Sequence, residues 1–387
     1  MVTRRTVKYG LGAAILSLSS LVAGYGPKSA SASVSQAPPD PGRALGQLLN
    51  GRVYSTGPYG EKAASVTAAA ISSSQIARVR AMHATAAIAL HYGGNDWSTA
   101  QVDGLQHEFA VLGIKVIGVT DANFKPDKQV SDIQSLLAKK PTIMVSIPTD
   151  PVATASAYKA AEAQGVKLVF MDNVPQGMRP GRDYVSVVSA DNCGNGITSA
   201  YLLAQKLHEH GKIGLIYHAA DFFVTKQRYT CFKRTIQQYP NIQIVQEQGV
   251  AGPDFAGQAD SVASAMVTRY PNINGIWAVW DVPAEGVVSA LRAAGRPNIV
   301  VATEDLGLNV AVDMAKGAFI SGLGAQRPFD QGTTEAKLAA LSLLHVKVPG
   351  YVALPALPVT RSNVLSAWQA VYHHSAPSSL VSASHGS

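Results

Sequence analysis

Charged residues are scarce in this 387-residue chain: Asp, Glu, Lys and Arg together make up 15%, against 47% hydrophobic residues. A chain disordered throughout is charge-rich and apolar-poor, so that class is excluded. No apolar run approaches the roughly 20 residues that a spanning helix needs, which excludes a multi-span membrane protein. Dense Lys/Arg runs that could track phosphates are missing, so no nucleic-acid partner is expected. The familiar catalytic signatures are missing too: no Gly-x-Ser-x-Gly elbow, no Walker loop and no His-Glu-x-x-His. His208-Glu209-His210 looks metal-like, but residues two apart on a helix point to different sides, and the segment reads as a solvated helix end beside Gly211. Only two cysteines occur, Cys193 and Cys231. Their number and spacing exclude a cysteine-rich zinc site. Two readings stay open: a disulfide in an oxidising compartment or two buried thiols on neighbouring helices. No cofactor and no metal is expected.

The formal charge is +7, but Arg4, Arg5, Lys8 and Lys28 fall in residues 1–32, which hold no Asp or Glu. Removing them leaves +3. That segment reads as an export signal: a basic head with paired arginines, an apolar stretch from Leu11 to Val22 too short to span a bilayer, and a small-residue cleavage site at Ala30-Ser31-Ala32. The arginine pair resembles a twin-arginine signal. No cysteine follows the apolar stretch, so a soluble periplasmic protein, with its signal peptide removed, is expected.

The length suggests two or more domains. Residues 33–84 are rich in Ser, Ala, Pro and Gly and read as a linker with one short helix around Ser74 to Ala84, where Ile76, Val79 and Met82 recur at helical spacing. The end of the chain, residues 366–387, reads as a tail, disordered from about residue 373. Between them short apolar strands alternate with helices: strands at Thr85–Leu90, Lys115–Val119, Thr142–Ser146, Lys167–Met171 and Tyr184–Ser189, then again at Ile213–Tyr217, Ile242–Glu247, Gly275–Val279, Ile299–Ala302 and Phe319–Leu323. This rhythm signals parallel sheets with helices on both faces. It is too long for one sheet and breaks near residue 190. The stretch Ile88 to Trp97 is echoed by Ile213 to Phe223, each an apolar strand, a polar-aromatic loop and a helix. Two similar α/β halves would face each other across a cleft. Asn192-Cys193-Gly194-Asn195-Gly196 reads as a helix start capped by Asp191 or Asn192 rather than as a phosphate loop.

A particular residue mix recurs where the strands end: Asn95, Asp96 and Trp97; Thr149 and Asp150; Asp172 and Asn173; His218, Asp221, Phe222 and Phe223; Trp280 and Asp281; Glu304 and Asp305. Ligands of such sheets bind at the carboxyl ends of strands. Carboxylates and amides hold hydroxyls in fixed directions, and aromatic faces cover the C–H faces of a sugar ring. The inventory fits a neutral polyhydroxy ligand. A strongly acidic ligand would want an arginine cluster, and Arg228 is the one obvious candidate.

Taken in order, several segments resemble periplasmic solute-binding proteins of the ribose/galactose-binding type, over roughly residues 85–365. Ile147-Pro148-Thr149-Asp150-Pro151 resembles that family's loop after the third strand, and Phe170-Met171-Asp172 its strand ending in a ligand-binding aspartate. Val188 to Asn192 resembles the first crossover between domains. Arg228-Tyr229-Thr230-Cys231-Phe232 resembles its Arg-x-x-Gly-Phe helix start, and Trp280 to Gly286 its Asn-Asp-x-x-Ala-x-Gly. Val300 to Asp305 with Gly317, and Gly324-Ala325-Gln326-Arg327-Pro328, resemble its strand–aspartate unit and its hinge with a ligand-binding glutamine. Position by position, the resemblance implies contacts from Asp172, Asn173, Arg228, Trp280, Asp305 and Gln326. Asn95, Asp96, Trp97 and Phe222 join them as strand-end candidates. The departures are Asn173, where the family has arginine, Trp280, where it has asparagine, Cys231, where it has glycine, and a loop at Gly93–Trp97 without the usual aromatic pair. Ribose itself is therefore not assumed, and Trp280 suggests a smaller or differently shaped ligand such as a short polyol.

The resemblance implies an α/β fold of two doubly wound parallel-sheet lobes joined by a three-strand hinge, the type I periplasmic binding protein-like architecture. Residues 85–187 plus 327–352 would form the N-terminal lobe, and residues 188–326 plus 353–365 the C-terminal lobe. The implied role is the periplasmic substrate-binding component of an ABC importer for a small sugar or polyol, a monomer that closes on its ligand without catalysis and is read by a membrane ABC permease. The alternatives are a ligand-sensing co-receptor for chemotaxis or a sensor kinase, an α/β sugar-processing enzyme using Asp172 and Asp305 as a carboxylate pair, and a repressor core, which the leader-like N-terminus disfavours.

Overall fold

The computed structural model describes residues 37–48 and 50–386; the expected export signal, residues 1–32, lies outside them. The chain opens with helices α1 (Pro41–Leu48) and α2 (Ser73–Arg80). It then alternates: β1 (Thr85–Leu90), α3 (Asp96–Leu112), β2 (Lys115–Asp121), α4 (Pro126–Leu137), β3 (Ile143–Ser146), α5 (Ala155–Ala163), β4 (Lys167–Met171) and β5 (Ser186–Ala190). The second run is α6 (Asn192–Lys206), β6 (Gly211–His218), α7 (Phe223–Ile236), β7 (Ile242–Val250), α8 (Phe255–Arg269), β8 (Gly275–Ala278), α9 (Asp281–Ala293), β9 (Val300–Glu304), α10 (Leu308–Ala315) and β10 (Ile320–Ala325). It closes with α11 (Pro328–Leu343), β11 (Tyr351–Leu354), β12 (Leu357–Val359), α12 (Val364–Tyr372) and α13 (Ser378–His385).

The strands form two six-stranded sheets, ordered β2-β1-β3-β4-β5-β11 and β7-β6-β8-β9-β10-β12. The first is parallel throughout; the second is parallel except for the antiparallel pair β10/β12. Strands covered by helices on both faces read as continuous apolar runs, and β3, β5 and β8 are buried at every residue. Among the described residues, the strand order carries the chain from one sheet to the other after Ala190, after Ala325 and after Leu354. In both sheets the order reverses beside the first strand of the lobe, so the switch points, where such folds bind ligands, face one another at the carboxyl ends of the strands.

Local signals place the helices that matter for the cleft. Asn95 caps α3 by accepting the Ser98 amide, and Gly113, left-handed at φ 69°, ends it. Asp191 caps α6 through the Gly194 amide. A Cβ on Gly196 would lie 2.3 Å from the Arg228 carbonyl, so only glycine lets α6 and α7 approach this closely. That approach brings Cys193 and Cys231 together, and they are joined as a disulfide.

Two expectations about the chain ends need correction. Residues 37–84 are not a free linker. Leu45, Leu48 and Tyr54 pack over the cysteines and Ile197, the Tyr54 and Ser55 amides both donate to Asp191 at 2.8 Å, and Ala64 pairs with Val352 of β11. The segment therefore crosses from one sheet's domain to the other's over the first crossover. Its short helix, expected to reach Ala84, ends at Arg80. Of the expected tail, residues 366–386 are not disordered: α12 buries Val364, Trp368 and Val371 in the core of the second lobe, and α13 adds Leu380 and Ala383. Small and polar residues outnumber large apolar ones in both segments, so their apolar content looks weak until the partner surface is present.

Candidate functional site

A cavity of about 80 Å³ lies between the carboxyl ends of the two sheets. The first lobe contributes His91 and Tyr92 after β1, Asn95 and Trp97 at the start of α3, Phe124 after β2, Ile147 after β3 and Asp172 after β4. The second contributes His218, Phe222, Thr225, Arg228, Trp280, Asp281 and Asp305, and Gln326 sits on the second crossover. Of the ten residues expected from the sequence, Asn95, Trp97, Asp172, Phe222, Arg228, Trp280, Asp305 and Gln326 line this cavity. The other two lie elsewhere. The Asp96 carboxylate is taken up by the Leu308 amide at 2.6 Å, where it caps α10 from the opposite lobe. Asn173 is buried but does not border the cavity, because the left-handed turn at Asp172 sends the chain away from the cleft.

Both cavity aspartates on strand ends have left-handed backbones, Asp172 at φ 53° and Asp305 at φ 64°. Each is pinned to a neighbouring strand, Asp172 N–H to the Val188 carbonyl at 2.8 Å and Asp305 N–H to the Gly324 carbonyl at 3.0 Å. Such non-glycine strain persists only where the surroundings over-determine it, and it clusters at functional sites.

Arg228 organises the second wall. Its Nε donates to Asn192 Oδ1 at 2.8 Å and lies 3.2 Å from Glu304 Oε2. Its Nη1 donates to Asp305 Oδ2 at 2.9 Å and to the Val279 carbonyl at 3.2 Å. Burial works against the guanidinium's charge, but Asp305, Glu304 and Asp172 outweigh it and raise its pKa. Burial pushes the Asp172 carboxyl up to about 6, against the Ser189 hydroxyl that donates to it at 2.6 Å and the more distant Arg228. Asp281 and Glu304 are raised well above the usual carboxylate range, both by burial first, then, for Asp281, by Asp305 and Glu285. The two histidines go the other way: burial holds His91 at about 3 and His218 at about 4, so both are neutral near pH 7.

Aromatic rings close the cleft. His91 stacks on Phe222 with centroids 6.0 Å apart, and Phe124 meets Phe255 edge-on at 5.2 Å. First-lobe rings thus touch second-lobe rings, and the lobes are in contact around the cavity. Four cavity-lining polar atoms have no hydrogen-bond partner within the protein: His91 Nδ1, Trp97 Nε1, Asp305 Oδ1 and Gln326 Oε1. Buried polar groups are nearly always paired, so this cluster marks where a ligand's own donors and acceptors would be received. His91, Tyr92 and Phe124 were not among the expected site residues. All three follow the first two strands, the same position that singled out the others, but as rings they read as core until their partners across the cleft are in place.

The family model for the periplasmic binding protein domain matches residues 86–344. The chain is 27% identical over 245 residues to the ribose import binding protein RbsB of Bacillus subtilis (strain 168), covering 63% of this chain and 76% of that protein. It is 24% identical over 242 residues to the D-allose-binding periplasmic protein of Escherichia coli (strain K12), covering 61% and 76%. Among solved structures, an ABC transporter solute-binding protein from Agrobacterium vitis bound with α-D-tagatopyranose superposes with a TM-score of 0.68 at 23% identity, covering 75% of this chain and 99% of that one. That last likeness concerns the fold.

Proposed function

Because the chain belongs to the periplasmic binding protein family, we propose that it is the exported substrate-binding component of an ABC importer for a small sugar or polyol. The observation that carries this reading is the interlobe cavity, where unpartnered Asp305 Oδ1 and Gln326 Oε1 face Asp172 and Arg228 among aromatic rings. Hydroxyls satisfy such acceptors, and the rings cover a sugar's apolar faces. The relatives named for ribose and allose point to the same ligand class. In operation the ligand would enter an open cleft, contact both lobes and favour the closed form, because only that form makes both sets of contacts. The closed shape is what a membrane permease would read. No bond is made or broken. Delivery to the periplasm would use the paired Arg4 and Arg5.

A thermal-shift screen against monosaccharides, polyols and sugar acids tests this, since a ligand that binds only the native form raises the melting temperature. The expected result is a rise with one sugar or polyol, which is then recovered chemically unchanged. Turnover of the bound sugar, or silence across the whole panel, would sink the proposal.

A further inference from the structure

We propose that the ligand of this cleft carries a protonated amine in addition to its hydroxyl groups. The inference rests on the reading of the cleft as the ligand site and adds the ligand's charge. Three carboxylates line the cavity, Asp172, Asp281 and Asp305, and Glu304 sits directly behind it; each is more than nine-tenths buried. Among the described residues, Arg228 is the one Lys or Arg bordering the cavity, and its ion pairs go to Asp305 and Glu304. Asp172 receives the Ser189 hydroxyl and Asp281 the Val282 amide, so neither has a full positive charge as partner. The helix α10 N-terminus offers partial compensation, but its first amide is taken by Asp96.

The histidines do not make up the difference, because burial holds His91 and His218 neutral near pH 7. Even with Glu304 and Asp281 set aside, Asp172 and Asp305 outnumber Arg228 by one. In a buried site, where charges are weakly screened, an uncharged polyol leaves that excess standing. An ammonium group offsets it. The remaining chemistry agrees. Asp305 Oδ1 and Gln326 Oε1, both unpartnered, are acceptors, and an ammonium presents three donors and no acceptor. Tyr92, Trp97, Phe124 and Trp280 surround the same space, and aromatic faces attract cations as well as sugar C–H groups.

The test is calorimetric titration of the full-length protein with matched pairs: 3-amino-1,2-propanediol against glycerol, D-glucosamine against D-glucose, and 1-amino-1-deoxy-D-sorbitol against D-sorbitol. In at least one pair the amine should bind about tenfold or more tightly than its hydroxyl counterpart. Asp305→Asn should remove most of that preference. If that variant does not fold, as judged by its thermal melt, Asp172→Asn serves in its place. Hydroxyl compounds binding as tightly as their amine partners in every pair that binds, or a preference untouched by the variant tested, would overturn the inference and leave the sugar or polyol proposal standing. If no member of any pair binds, the inference falls; if the full sugar and polyol panel is silent as well, the proposed function falls with it.

Discussion

The two walls of the cleft come from similar sheets, yet they are built differently. The first lobe offers mainly rings and apolar surface, His91, Tyr92, Trp97, Phe124 and Ile147, with Asp172 as its one charge. The second holds a connected charged set, Arg228 with Asp305 and Glu304, and Asp281 nearby. The difference teaches that polar recognition sits on the second lobe and that the first acts as a cover. A ligand would therefore be oriented by the second wall before the first closes over it.

The contrast is most sharply broken at Arg228. Arg228→Met leaves buried carboxylates without their cation and should cost about 3–5 kcal/mol of stability in urea denaturation. A loss below about 1 kcal/mol would mean that the second wall is not an interdependent charged set. On the first wall, Asp172→Asn isolates the lone carboxyl. Its folded pKa of about 6 lies above the ordinary 3.8. Between those values the native state holds a proton that the unfolded chain has lost, so this group lowers stability as pH rises from about 4 to 6 and by a constant amount above. The asparagine variant lacks that loss. Relative to the wild type it should gain about 3 kcal/mol across that window and keep the gain at higher pH. A difference in stability that stays flat with pH would refute the assignment.

For ligand binding, Asp305→Ala on the second wall should weaken affinity by about 1–3 kcal/mol by leaving ligand donors unpaired. Trp97→Ala on the first should cost about 1 kcal/mol of ring contact. Equal losses in titration would erase the distinction between the walls. A comparably small effect is expected at Asp96→Ala, which removes the cap that the first lobe places on α10. A loss of about 1 kcal/mol should shift the population toward an open form, seen as a larger radius of gyration in X-ray scattering of the ligand-free protein.

Much of the fold is legible in the sequence because strands buried on both faces are written as apolar runs, as at residues 143–145 and 276–278. Asp172, Asp305 and Gln326 are legible because they follow such runs. Phe124 and His91 follow them too, but an aromatic residue after a strand looks like core until its partner across the cleft, Phe222 or Phe255, is known. Asp96 and Asn173 look like contacts by position; a helix N-terminus in the other lobe and a left-handed turn decide otherwise. The ends of the chain are least legible. Leu380 and Ser55 carry no periodic signal, and their places depend on surfaces far away in sequence.

Ser55 carries one last implication. Its amide and hydroxyl both hold Asp191, the residue where the chain first leaves one sheet for the other, and its oxygen receives the Cys193 amide. The part of the chain ahead of the family-matched region is thus a clasp fastened across a pivot. Trimming the protein back to residue 86 would not yield a smaller version of the same receptor. It would strip the cover from the sulfur bridge, leave a buried carboxylate short of three donors, and free the two halves to swing by whatever the clasp now withholds.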